Sequence, residues 1–206
     1  IVVVLVTIIQ LEVLSIAFQK LGLSPEGALL LVLGALLGSG INIPVATIRR
    51  LPSSRPPTEV PRRFRQPDIT AIPGRTILAI NLGGCIIPLG MCLYLLVRHL
   101  VSPFDLLPAL LAVTVVSYVF SRPIAGIGIG MPILIAPLVA VLAALLLEPA
   151  NAAPLAFSSV VLGVLLGADI LRLADIRTRD VPFASIGGAG TFDGVFLTGI
   201  IAVLLA

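Results

Sequence analysis

Three acidic side chains lie inside apolar runs of this 206-residue chain: Glu12, Asp169 and Asp193. A carboxylate at the centre of a membrane helix costs about 2.5–3.5 kcal/mol, so an acid kept there points to function. Asp169 sits in Leu165-Leu166-Gly167-Ala168-Asp169-Ile170-Leu171, close to the end of its apolar run at Leu173 and roughly 6 Å from it along a helix. Asp193 closes Gly187-Gly188-Ala189-Gly190-Thr191-Phe192-Asp193. The thirteen residues after it make only about 20 Å of helix. A crossing of ~30 Å must therefore begin near Ile186, which places Asp193 roughly 10 Å inside the same face. Two carboxylates at similar depth on neighbouring segments can share one proton, because like charges in close proximity do not both ionise. Such a pair can activate water as a base and protonate a leaving amine as an acid. It can equally carry protons or hold a cation in a transporter, where broken helices often line the site.

Other polar and flexible residues fall in the same layer. They are Asn42, Asn81, the glycines Gly126, Gly128 and Gly130, and Gly188 and Gly190 beside Asp193. Glu12 lies toward the opposite half. Together these residues suggest a small hydrated cavity. The plainer reading is that each asparagine bonds across helices and each aspartate pairs with Arg172 or Arg177. No metal site is expected: His99 is the single histidine, and Cys85 and Cys92 lie two helical turns apart, too far to bridge. No cofactor is expected either, since Gly126-x-Gly128-x-Gly130 lacks the strand, helix and acidic partner of a dinucleotide fingerprint. A Ser–His–Asp arrangement is excluded because His99 belongs to the opposite side from both aspartates.

The elements that must position these residues are apolar. Hydrophobic residues make up 58% of the chain and charged residues 11%, against about a quarter charged in soluble domains. The sequence predicts an all-α, polytopic transmembrane bundle forming a single membrane domain over 1–206. On a ruler of ~20 apolar residues per crossing, about seven spans emerge: 1–18, 27–48, 76–97, 106–120, 131–147, 154–173 and 186–206. Between the second and third lies a loop, 49–75, rich in proline and carrying seven arginines. With Arg122, Arg172, Arg177 and Arg179 its face holds eleven basic residues, against Lys20 and Arg98 on the other. The positive-inside rule makes the loop and the N-terminus cytoplasmic and the C-terminus external. No aromatic residues interleave with the arginines as nucleic-acid stacking requires, so the expected partners are the lipid bilayer and either a membrane-bound peptide substrate or a partner subunit. Many of the glycines, Gly34, Gly38, Gly83, Gly84, Gly163 and Gly167 among them, suit close helix packing in lipid.

Two resemblances bear on these residues. Leu82-Gly83-Gly84, Gly126 to Pro132, Gly167-Ala168-Asp169 and Gly187 to Gly194 resemble the signature of a prokaryotic membrane-protein family of unknown function, which implies a place in the inner or plasma membrane and no particular activity. The placement of Asp169 and Asp193 on the sixth and seventh predicted spans also resembles the presenilin and signal-peptide-peptidase class of intramembrane aspartyl proteases. That resemblance implies that both are catalytic. The departures are that Asp193 comes three residues after Gly190 rather than directly after a glycine, that Ala168 stands where an aromatic is usual, and that no Pro-Ala-Leu motif follows Asp193. A small-solute or proton-coupled transporter and a non-catalytic subunit of a membrane complex are the readings from other classes.

Overall fold

The computed structural model describes residues 15–49, 75–124, 128–176, 183–188 and 194–206. Helix α1, Pro25–Ser39, starts where the Ser24 hydroxyl accepts the Gly27 amide and Pro25 occupies the first turn. It stops at Gly40, and the chain turns extended as strand β1, Asn42–Arg49. β1 pairs antiparallel with β2, Arg75–Asn81, in a register running from Asn42↔Asn81 to Arg49↔Arg75. The register shifts between Pro44 and Ala46, as expected where proline cannot donate to a ladder. A wide π-turn, Leu82–Ile86, leads from β2 into α2, Ile87–Val97. Helix α3 is Pro103–Phe120, followed by a hairpin of β3, Arg122–Ile124, and β4, Gly128–Gly130. Helix α4 is Ile135–Leu147. Helix α5, Ala152–Val164, runs on through a second π-turn, Leu165–Ile170, to the short α6, Leu173–Ile176. Strand β5, Phe183–Ile186, lies parallel to β2, so the first sheet has the order β1-β2-β5. Helix α7 is Gly194–Leu205.

Helix α5 is the axis of the bundle. Every residue of it but Leu162 is buried, and α2, α3, α4 and α7 pack around it. Helices α3 and α4 turn mostly small residues inward and large ones outward. On α4 Ala136, Ala140 and Ala144 are fully buried, while Leu138, Leu142 and Leu146 are exposed. On α3 Ala109, Val113 and Ser117 face in, and Leu107, Leu111, Val115 and Val119 face out. These are stripes at i, i+4 spacing. Gly163 and Gly167, four apart on the axis, meet α3 so closely that a Cβ on Gly163 would lie 2.6 Å from the Val113 side chain and one on Gly167 would strike the Thr114 carbonyl.

The expectation of an all-α bundle is corrected: the molecule is mostly helical but carries two small sheets. About seven spans is not supported. Among the described residues two helical stretches are long and apolar enough to cross a membrane, Pro103–Phe120 with 18 residues and Pro149–Asp175 with 27. The expected span 27–48 divides into α1 and β1, and 76–97 into β2, a π-turn and α2. In 186–206 the described helix is Gly194–Leu205. At 15, 13 and 12 residues, α1, α4 and α7 reach only about 18–23 Å. The physical reason is that hydropathy counts apolar residues whatever their period. Ile41 to Ile48 is rich in β-branched side chains and contains Pro44, which suits an edge strand and not a helix. Of the first expected span, residues 1–14 lie outside the described residues, as do 50–74 of the expected loop; Arg49 and Arg75 at its two ends are strand residues.

Candidate functional site

Two chain segments change between helix and extended backbone, at Ser39–Asn42 and at Asn81–Leu82, and strand β5 lies beside the second. They meet in a polar node built on Asn81. Its side chain is 2% exposed and ties the three together. Its amide nitrogen donates to the Ser39 carbonyl at the end of α1 (2.7 Å) and to Asn42 Oδ1 at the start of β1 (3.1 Å). Its Oδ1 accepts the Gly84 amide inside the π-turn (2.8 Å). Asn42 Oδ1 also accepts the Ser185 hydroxyl of β5 (2.5 Å). Polar groups buried this deeply persist because they are paired.

Glycines allow the segments to come this close. A Cβ on Gly83 would strike the Ala35 carbonyl of α1, and one on Gly38 would lie 2.9 Å from the Gly83 nitrogen. Gly187 follows β5 with φ +77°, a left-handed conformation that glycine adopts without penalty. A Cβ there would stand 2.6 Å from the Gly84 carbonyl carbon and oxygen.

This turn reaches the first candidate acid. The Gly187 amide donates to Asp169 Oδ2 at 2.7 Å. Asp169 is partly buried and sits in the second π-turn, a geometry that recurs at functional sites because it widens a helix by one residue. Three residues on, Arg172 fastens the same stretch to the end of α3. Its guanidinium donates to the Tyr118 carbonyl (2.6 Å), the Ser121 carbonyl (2.9 Å) and the Ser121 hydroxyl (3.1 Å). It also lies 4.3 Å from the centre of the Tyr118 ring and 2.9 Å from Asp175 Oδ2. A cation at a helix C-terminus is held well by the unpaired carbonyls there. Arg172 is thus directed to Asp175 and to α3, while Asp169 accepts the Gly187 amide. Arg177 lies outside the described residues.

Of the residues singled out in the sequence, Asn42, Asn81 and Gly188 are brought together, with a Cβ on Gly188 falling 3.2 Å from Asn81 Cβ. Asp169 joins them through Gly187. Gly128 and Gly130 pair instead with Ile124 and Arg122 in the β3–β4 hairpin. Asp193, Gly126, Gly190 and Glu12 lie outside the described residues, so the spacing of the two aspartates is open. The sequence does not single out Ser185, and it marks Gly187 only as the start of the Gly187 to Gly194 motif. The available signal was the double glycine after the short run Phe183–Ile186, the pattern of a strand that ends in a turn. Among the described residues no group of three metal-ligating side chains occurs.

Residues 36–205 match the family described as Protein of unknown function (DUF1614). The chain belongs to this family. The whole node of this DUF1614 protein, from Gly38 to Gly188, lies within the matched region. No curated protein and no solved structure matches the chain, and the family assignment lends no support to the presenilin resemblance.

Proposed function

We propose that this protein is an integral membrane di-aspartyl protease that cleaves membrane-bound peptides near the cytoplasmic face, with Asp169 and Asp193 as its acid–base pair. Membrane residence is supported by the outward-facing leucines and valines of α1, α3 and α4 and the small residues, Ala28, Ala35, Ala109, Ala136, Ala140 and Ala144, on their inward faces, the arrangement that helices adopt when lipid is the solvent. The observation that carries the catalytic reading is the bond from the Gly187 amide to Asp169 Oδ2. It joins the first aspartate to the start of the glycine-rich segment that ends in Asp193. One carboxylate takes a proton from water as the water oxygen bonds to the peptide carbonyl carbon. The other, protonated, gives its proton to the amide nitrogen as the C–N bond breaks. Strand β5 pairs with β2 along one edge, and its other edge has no strand partner among the described residues. An extended peptide added along that edge would run toward Gly187 and Asp169.

A specific observation favours a second reading, a small-solute or proton-coupled transporter. Apolar segments are interrupted at Ser39–Asn42 and at Asn81–Leu82, both at the same polar node. Interrupted helices of this kind surround transport sites.

The first test is geometric. Cysteines replace Asp169 and Asp193 in a protein whose Cys85 and Cys92 are changed to alanine, and mild oxidation in native membranes follows. A disulfide requires Cα atoms within about 7 Å. Efficient cross-linking together with cleavage of an apolar peptide reporter that is lost in both D169N and D193N supports the protease. Absence of cross-linking rules out a shared proton and leaves the transporter and the non-catalytic subunit as the remaining readings.

A further inference from the structure

We infer that Asn81 is a positioning residue for Asp169, acting through the turn at Ser185–Gly188 without touching the carboxylate. The inference rests on Asp169 being the reacting group.

Two independent routes lead from the Asn81 side chain to that turn. The first is polar. The Asn81 side-chain nitrogen donates to Asn42 Oδ1 (3.1 Å), and that Asn42 oxygen also accepts the Ser185 hydroxyl (2.5 Å). The second is steric. Asn81 Oδ1 holds the Gly84 amide (2.8 Å), and the Gly84 carbonyl is the wall against which Gly187 packs. Gly187 is thereby confined from both sides: β5 is anchored by Ser185, and its own backbone is pressed on Gly84. Its left-handed φ of +77° sets the direction of its amide. That amide is the group bonded to Asp169 Oδ2 at 2.7 Å. Asn81 has no bond to Asp169 and no rival task at the protein surface, being buried with three hydrogen bonds all directed into the node. An apolar side chain at position 81 would satisfy the hydropathy of the segment equally well.

The experiment compares infrared spectra and cleavage kinetics of the full-length protein in lipid. The Asp169 carboxyl band is assigned as the one missing from D169N. Asn81→Leu, with the same number and branching of side-chain heavy atoms, removes all three bonds. Ser185→Ala removes one arm and leaves Asn81 in place, so it serves if N81L does not fold. The Asp169 band is expected to shift in N81L, and to shift less and in the same direction in S185A. Peptide cleavage is expected to lose about 10- to 100-fold in kcat with KM little changed, since displacement of a reacting group by ~1 Å has an effect of that order. An unshifted Asp169 band in folded N81L or in S185A overturns the inference, even if cleavage still depends on Asp169 and Asp193. A shifted band in a protein that cleaves nothing keeps Asn81 as the residue that positions Asp169 and removes the protease.

Discussion

Gly187 concentrates the residue-scale argument. Its φ of +77° and the 2.6 Å approach of a hypothetical Cβ to the Gly84 carbonyl carbon act together. Gly187→Ala is expected to destabilise by at least about 1–2 kcal/mol from the left-handed backbone alone, with the clash added. Gly90 on α2 is the control, because a Cβ there meets nothing within 4 Å. Gly90→Ala is expected to leave stability unchanged or to raise it by up to about 1 kcal/mol, as alanine is the better helix former. Thermal or denaturant unfolding in detergent reads both, and equal effects would remove the special role of Gly187. Asn42, Asn81 and Asp169 were legible in the sequence because a polar group in an apolar run is costly and must have a partner. Ser185 and Gly187 were not, because small residues are common throughout the chain and their task depends on which strand lies beside which. The pairing of β2 with β5 spans about a hundred residues of sequence, and no local pattern reports it.

At the scale of elements, the sequence reveals where the apolar segments are but not which of them stay helical. α3 and the axial helix both run long and apolar, and α3 begins at Pro103, ahead of the expected 106. The failures occur where β-branched residues, Pro44 and paired glycines interrupt an apolar run of otherwise sufficient length. The inward stripes of small residues state a rule about packing that can be tested. Gly167→Ala places a methyl group against the Thr114 carbonyl and 2.9 Å from Ser117 Cβ, so it is expected to lower stability by about 1–3 kcal/mol through overpacking. Leu142→Ala on the exposed face of α4 removes more atoms and is expected to change stability by less than about 0.5 kcal/mol. The reverse ranking in a detergent unfolding assay would mean that large side chains, not close helix approach, hold the bundle.

For the whole molecule, an apolar exterior and an arginine-rich connection make two expectations. The protein should stay in the membrane pellet after alkaline carbonate washing, and a cysteine placed at position 55 should react with an impermeant thiol reagent from the cytoplasmic side only. Release into the wash would end the membrane reading, and labelling from the outside alone would invert the orientation. The β1–β2 pairing has a further consequence. Arg49 and Arg75 are registered opposite one another, so whatever path residues 50–74 take, the chain returns to the point it left. The covalent link across that excursion is then redundant with non-covalent ones: the β1–β2 ladder and the fit of α1 against Gly83 already bind the two sides. The protein should behave as two complementary pieces that happen to be synthesised as one. Residues 1–62 and 63–206, expressed as separate polypeptides in the same cell, are expected to assemble and co-purify through a tag on either. Failure to co-purify would show that the ladder forms only when the connection brings its strands together.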